Sequence, residues 1–197
     1  MEHPQTAPSA RRPPAPPDDL ARSFERAHAK FRGAVETAYE AETEWPLRAA
    51  AAIRATLEFA AEDPVAAHTL TVDSLTQGSS HFARHRRTVD HLARLLAAGR
   101  NERPEGETLP GLLEDALAGG IFMLIAQRLE AGDAKTLAAL TRDAIEFALT
   151  PYIGRGRARD VAIAESSIRM KLARRRSVGR ADVAALTDQS PERDSNS

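Results

Sequence analysis

Three histidines lie close together along the chain, at His81, His85 and His91. Residues four positions apart share one face of a helix, so the rings of His81 and His85 could together bind a zinc ion. A catalytic zinc site also needs a third protein ligand and a general base, and the sequence has no His-Glu-x-x-His pattern. The surrounding segment is polar enough to be a solvated helix face. We therefore predict no metal site and no cofactor.

The sequence also has no arrangement that is typical of nucleophilic catalysis. It has neither a Gly-x-Ser-x-Gly motif nor a phosphate-binding loop, and Gly154-Arg155-Gly156 is too short to hold a phosphate. The acidic pair Glu114-Asp115 suits the first turn of a helix, where the helix dipole stabilises negative charge. We therefore predict that the chain is not an enzyme.

A small-molecule binding site is the chemistry that the residue types favour more. Apolar walls supply affinity for a small ligand, and a few polar groups set its orientation. The same aromatic residues at helical spacing are also typical of an ordinary protein core, so this alternative stays open. The predicted ligand-binding residues are Trp45, Phe59, His68, Phe82, His85, Phe122, Met123 and Gln127.

Capping residues and apolar spacing together predict an all-α chain. In Asp63-Pro64, for example, an aspartate caps a helix whose first position suits proline. Gly132 suits the left-handed conformation that ends many helices, and Asp133 could cap the helix that follows. The predicted helices span residues 18–44, 45–62, 64–78, 79–99, 110–132, 133–151 and 158–176.

The two helices between Leu109 and Gly154 are apolar on more than one side, and the rest of the chain is expected to be organised around them. They form either an internal hairpin of a monomer or half of a four-helix seam between two copies. Gly119-Gly120 costs about 1 kcal/mol per glycine within a helix, and close backbone approach would offset that cost. The predicted seam residues are Leu113, Leu117, Gly120, Ile121, Leu124, Leu140 and Phe147.

In their order and spacing, five segments resemble the C-terminal, ligand-binding and dimerising domain of TetR-type bacterial transcriptional regulators. These segments are Trp45–Pro64, Gly99-Arg100, Glu114–Gly120, Gln127–Gly132 and Glu146–Gly154. The resemblance implies an all-helical bundle, a small apolar effector among the helices, and a homodimer formed through the last two long helices of the domain. We therefore expect residues 18–154 to be a TetR-like ligand-binding and dimerisation domain.

The segment before that domain departs from the family pattern. Such regulators begin with a three-helix DNA-binding head that contains a helix-turn-helix, whereas residues 1–17 contain six prolines and are expected to be a disordered leader. Transcriptional regulation is therefore expected if a helix-turn-helix is supplied elsewhere. The alternative is a stand-alone effector-binding module, or a protein-interaction modulator, without DNA-binding activity.

Charge is distributed unevenly along the chain. The net charge is −1, but residues 155–180 contain nine Lys or Arg against two acidic residues. We expect residues 155–187 to form a basic amphipathic helical extension, followed by a disordered tail at 188–197. The basic surface of the extension could be merely solvated. It could also bind nucleic acid weakly through phosphates, or contact an anionic membrane surface.

Composition points to a cytoplasmic protein, and the resemblance to TetR-type regulators implies a bacterial one. There is no cysteine, as is usual in a reducing compartment. The longest apolar run, from Leu117 to Ala126, has ten residues and is too short to span a bilayer. The N-terminus lacks the hydrophobic region of a signal peptide. We therefore expect neither secretion nor a membrane partner.

Overall fold

A computed structural model describes residues 17–76, 79–102 and 108–167. Within these ranges the chain forms helices and no strands, which confirms the predicted all-α class. The helices are α1 (Pro17–Glu40), α2 (Trp45–Glu62), α3 (Pro64–Leu70), α4 (Val72–Thr76), α5 (Ser79–Ala97), α6 (Leu113–Glu130), α7 (Thr141–Ile153) and α8 (155–167), with 3-10 segments at Ala98–Glu102 and Ala134–Leu140. Residues 1–16 of the predicted leader 1–17 lie outside the described residues, as does the part of the basic extension and tail after 167, whereas Pro17 begins α1.

The central element is α2, rather than the pair of helices after Leu109. It packs against α1, α3, α5, α7 and both 3-10 segments. The run from Ala49 to Ile53 is buried on every side, and Leu57 is fully buried one turn further on. Alanine has a high helix propensity and a small side chain, so it allows several helices to approach α2 closely.

Local chemistry sets the start of α2 and of α3, as predicted. Trp45 and Pro46 occupy the first turn of α2. Backbone N–H groups in the first turn have no acceptor within the helix, so a proline there costs no hydrogen bond. At α3, Asp63 accepts a hydrogen bond from the backbone N–H of Ala66 at 3.1 Å. The Asp63 carboxylate also binds Lys30 of α1 at 2.6 Å, so this helix cap ties α3 to α1.

The predicted single helix 64–78 is wrong, because the chain breaks at Thr71 into α3 and α4. The hydroxyl of Thr71 donates to the carbonyl of Ala67 at 2.8 Å, and the hydroxyl of Ser74 donates to the carbonyl of Leu70 at 2.7 Å. Side-chain hydroxyls that bond back to the preceding turn compete with the helix and bend it. The predicted stop at Gly78 lies outside the described residues.

The predicted limits of the last two core helices are partly wrong. α6 begins at Leu113 and not at Pro110, whose carbonyl accepts from the Leu113 N–H at 3.2 Å. The stop at Gly132 is confirmed by its φ of 74°. Asp133 makes no side-chain cap, and a 3-10 segment precedes α7.

Pro151 does not end α7 as expected. The helix continues through it to Ile153, and Gly154, with a φ of 76°, forms the end. Proline removes one N–H bond to the carbonyl four residues earlier, which is that of Phe147. The side chain of Phe147 is exposed, so this face of α7 is open to solvent.

α8 packs on the core through a buried stripe of Ala158, Ala162 and Glu165. The Glu165 carboxylate, 2% exposed, binds the guanidinium of Arg54 at the centre of α2, which also binds Glu58 at 2.8 Å. Ala164, on the same helix, is exposed. No helix in the described ranges combines the length and apolar character needed to cross a bilayer.

Candidate functional site

A small apolar cavity lies between α1, α2, α3 and α6. It is lined by Phe31, Thr56, Phe59, Ala60, Ala67, Leu70, Thr71, Phe122 and Ile125. Its volume is about 10 Å³, which is room for at most one water molecule. The two threonine hydroxyls of the lining each donate to a carbonyl of the preceding turn, at 2.8 Å. The lining thus offers an apolar surface and no group that titrates.

Phe31 of α1 is the centre of the aromatic packing around this cavity. Its ring meets the rings of Phe59, Phe122 and His91 edge to face, with centroids 5.6, 5.7 and 6.0 Å away. Edge-to-face packing brings the positive edge of one ring onto the negative face of another. No spacing rule in the sequence indicates which rings Phe31 contacts.

Three of the predicted ligand-binding residues come together here. Phe59 and Phe122 line the cavity, and the ring of His85 packs edge to face on Phe122 at 6.3 Å. The Nδ1 atom of His85 is 3.2 Å from the carbonyl oxygen of Leu70, another lining residue. His85 therefore contacts two residues of the cavity wall without lining the cavity itself.

The remaining predicted ligand-binding residues lie elsewhere. Phe82 is 58% exposed and Met123 51% exposed, and Gln127 is exposed as well. The ring of His68 lies on the surface between Asp73 and Glu130, at 3.3 and 3.2 Å. None of these four side chains lines the cavity.

Trp45 is buried in a second place, the junction of α2, α7 and the first 3-10 segment. Its indole N–H donates to the carbonyl of Leu95 at 3.1 Å, and its ring packs on that of Tyr152, with centroids 5.0 Å apart. A Cβ atom at Gly99 would overlap the Trp45 ring, so this position has room for glycine alone.

Next to Trp45, a polar network joins Arg100, Glu114 and Tyr152. One carboxylate oxygen of Glu114 accepts from the Tyr152 hydroxyl at 2.9 Å, and the other accepts from Arg100 at 2.6 Å. The same guanidinium donates to the carbonyls of Leu109 and Pro110, at 3.1 and 2.7 Å. The network therefore holds the start of α6 against the end of α7.

The hydrogen bonds of the network stabilise Glu114 in its charged form and Tyr152 in its neutral form. Burial by itself would raise the pKa of Glu114, but hydrogen bonds from Arg100 and Tyr152 bring it below its ordinary value. Burial and the bond to Glu114 both raise the pKa of Tyr152. Glu114 is therefore a carboxylate and Tyr152 a neutral phenol at neutral pH. The sequence pattern predicts only that Glu114 lies in the first turn of a helix, because its partners are distant along the chain.

The predicted seam residues divide into an inner and an outer group. Leu117 and Ile121 lie in the core of the subunit itself. Leu113, Leu124 and Leu140 are half-buried, and Gly120 and Phe147 are exposed, Phe147 by 61%. A Cβ atom at Gly119 or Gly120 would meet nothing within 4 Å, so no backbone of the subunit approaches there.

Apolar residues repeat along the outside of α6 and its N-terminal flank. This α6 stripe consists of Leu112, Ala116, Gly120 and Met123, all exposed, with Leu112 at 68%. On α7, Phe147 borders an open groove of about 630 Å³ that is also lined by Asp143, Glu146 and Arg155. Both helices of the predicted seam thus present apolar side chains to the outside of the subunit.

The described residues contain no group of three or more histidine, aspartate or glutamate side chains that could hold a metal ion. His85 is half-buried beside the cavity and His91 is buried against α1. The side chain of His81 lies outside the described residues.

No protein-family model, curated protein or solved structure matches this chain.

Proposed function

We propose that this chain is the regulatory part of a TetR-type transcriptional regulator, which binds a small apolar effector and forms a homodimer through α6 and α7. The observation that carries the proposal is the exposed α6 stripe, together with the exposed ring of Phe147 on α7. Apolar residues repeated along an outward helix face are typical of a helix that packs against a partner.

The segments that resemble the family give further support. Four of them contribute residues to one buried cluster, through Trp45, Arg100, Glu114 and Tyr152. Their spacing along the chain thus corresponds to a single set of contacts in space, as a shared fold requires.

In this proposal the effector occupies the aromatic cavity beside Phe31. Ligand pockets typically hold several hundred Å³, so the walls must move apart on binding. The wall formed by α3 is suited to that movement, because α3 has only seven residues and is separated from α4 by the break at Thr71. The lining favours an uncharged, aromatic molecule, since it offers three phenyl rings and no charge.

Enlarging the cavity should strengthen binding of a small aromatic probe. Ile125→Ala removes three carbons from the wall, and we expect it to cost about 2–4 kcal/mol of stability. Benzene or indole should then raise the Tm of the variant more than that of the unmodified chain. At a ligand concentration of 100 times Kd, the stabilisation is about 2.7 kcal/mol. Thermal unfolding at pH 7.5 with graded probe concentrations measures the effect.

Ile145→Ala is the matched control, because Ile145 is also fully buried but lies on α7, away from the cavity. It should lose comparable stability and show no added response to the probes beyond that of the unmodified chain. If neither probe shifts the Tm of the unmodified chain or of Ile125→Ala, the effector site is not in this cavity.

The alternative function is effector binding or protein interaction without DNA-binding activity. DNA contact by the described residues rests on the exposed arginines of α8, which are Arg155, Arg157 and Arg159. Lysine and arginine bind phosphates with an affinity that falls steeply as salt rises. Anisotropy titrations with duplex DNA at 50 and 200 mM salt discriminate the two functions. Salt-sensitive binding that is lost on replacing Arg155, Arg157 and Arg159 by glutamine, which leaves the buried stripe of α8 in place, supports a DNA role for this arm. No binding at either salt favours the alternative.

A further inference from the structure

Two histidine rings are sealed inside the interface between α1 and α5. His28 of α1 is 7% exposed and His91 of α5 is 4% exposed. In the described part of the chain, the Nε2 atom of each ring is buried without a hydrogen-bond partner. Buried polar atoms are nearly always hydrogen-bonded, because an unpartnered atom keeps the cost of leaving water. That cost is smallest when the ring is neutral and Nε2 carries no proton.

Both rings pack against aromatic side chains, and the Nε2 atom of each has no acceptor within hydrogen-bond distance. His28 stacks on Phe24, with centroids 5.6 Å apart and planes 15° apart, and also hydrogen-bonds the Arg87 backbone. His91 meets the edge of Phe31 at 6.0 Å. A proton added at either Nε2 would therefore create a charged donor with no acceptor within reach.

The nearby carboxylates are already paired with arginines. Glu25 accepts two hydrogen bonds from Arg87, at 2.8 and 3.3 Å. Glu36 accepts one from Arg32 at 3.3 Å, and its oxygen is 3.9 Å from Nε2 of His91, beyond hydrogen-bond distance. Each carboxylate therefore shares its charge with an arginine, and Glu36 could attract a protonated His91 without accepting a direct hydrogen bond from it.

Burial is the largest cause that lowers the pKa of both His28 and His91. The positive charge of Arg87 adds to the effect at His28, and those of Arg94 and Arg32 add to it at His91. The carboxylates oppose the change, but the pKa of each ring stays below its ordinary value. The two rings also disfavour each other's protonation.

We propose that the α1–α5 interface is an acid-operated switch, which is closed while both rings are neutral and is opened by their protonation. Above about pH 6.5, the ordinary histidine value, both rings are neutral whether the interface is open or closed. Below it, the open form binds protons that the closed form excludes, so acid favours the open form. The opening constant rises by up to about tenfold per pH unit for each histidine that binds a proton.

The switch reaches the aromatic cavity through Phe31, which contacts His91 on one side and lines the cavity on the other. Acid opening should therefore weaken binding of an aromatic probe. That consequence rests on the proposed effector site, whereas the acid response of the interface does not.

Single introduced thiols can test the switch, because the chain has no cysteine. Thr88→Cys places a thiol on α5, one turn before His91, at a position that is 0% exposed. Thr141→Cys places one at the start of α7, at a position that is 2% exposed, and is the matched control. The rate of labelling by iodoacetamide is measured from pH 7.5 to 5.0. Dividing it by the rate for the urea-unfolded chain at the same pH gives a relative labelling rate, which removes the pH dependence of the thiol reaction itself.

We expect the relative labelling rate of the Thr88→Cys variant to rise at least about tenfold between pH 7 and pH 5.5, while that of Thr141→Cys changes less than about twofold. Adding His28→Gln and His91→Gln should abolish the rise, and adding His68→Gln on the surface should not. Equal pH dependence at the two thiols overturns the proposal, as does a rise that survives both glutamine substitutions.

Proton NMR of the unmodified chain gives a second measurement if the glutamine variants do not fold. The ring protons of His28 and His91 should titrate at lower pH than exposed histidines and in step with the opening of the interface. Ring signals that titrate together with those of exposed histidines overturn the proposal.

Discussion

Replacing Phe147 by glutamate should convert the proposed dimer into a monomer with unchanged helix content. Phe147 is 61% exposed in the subunit, so the substitution removes little of the subunit's own packing. In a two-fold symmetric dimer the charge enters the interface twice. At about 2 kcal/mol per copy, the loss is about 4 kcal/mol, or roughly a thousandfold rise in the dimer Kd. Sedimentation equilibrium over a range of protein concentrations measures it.

Val65→Glu is the matched control, because Val65 is 79% exposed and lies on α3, which is not one of the two helices of the proposed interface. It makes the same change from apolar to charged and should leave the dimer Kd unchanged. If the unmodified chain sediments as a monomer at high concentration, or if both glutamate variants behave alike, α6 and α7 are not the dimer interface.

Gly120→Leu tests the same interface by size instead of charge. Nothing within the subunit lies within 4 Å of a Cβ atom at Gly120, so leucine should fit the monomer and improve its helix propensity. In the dimer it should prevent close approach of the partner helix. Gly33→Leu on α1, where a Cβ atom also meets nothing within 4 Å, is the control and should leave association unchanged.

We expect a large loss of stability from Glu114→Ala, because it breaks a partly buried ion pair. Breaking a buried ion pair typically costs 3–5 kcal/mol, but Arg100 keeps a third of its side chain exposed, so we expect about 2–3 kcal/mol. Part of that loss is the Tyr152 hydroxyl, which is left without an acceptor in a buried position. Urea unfolding at pH 7 measures the change.

Asp115→Ala removes the neighbouring carboxylate, which is exposed and 3.7 Å from Arg86, and should change stability by less than about 0.5 kcal/mol. Tyr152→Phe removes a bond to a charged group and should cost about 1.5–2 kcal/mol. If Glu114→Ala and Asp115→Ala lose the same stability, the network does not stabilise the fold.

The contribution of Glu114 depends on pH in a definite direction. Its pKa is lowered in the folded chain, so the stability it adds is present above the ordinary value of 4.5 and is lost as pH falls below it. The difference in unfolding free energy between the unmodified chain and Glu114→Gln should therefore shrink between pH 5 and pH 3.

Much of the helix pattern follows from residues within one or two turns of each other. The cap at Asp63 and the left-handed stop at Gly132 were predicted because each depends on a local conformation or a local hydrogen bond. The start of α6 was not predicted correctly, because Arg100 hydrogen-bonds the carbonyls of Leu109 and Pro110 just before the helix. Propensity rules do not include a partner ten residues away.

The candidate site was predictable only in kind. Aromatic residues with a few polar ones indicated an apolar binding site, and Phe59, Phe122 and His85 do meet at one cavity. Trp45 is equally aromatic but packs at the other junction, on Tyr152. The type of a side chain indicates that the residue is suited to burial. Which neighbours it contacts depends on how whole helices pack together.

From the sequence alone came the all-α class, the positions where most helices start or stop, and the excess of apolar surface on α6 and α7. These depend on propensity, capping and periodicity, which act over a few residues. Only the tertiary structure decided that α2 is the centre and that Glu165 is buried against Arg54. It also decided that the Nε2 atoms of His28 and His91 are buried without a hydrogen-bond partner. Arg54 and Glu165 are 111 positions apart, and burial of such groups depends on which helices meet, which no local pattern contains.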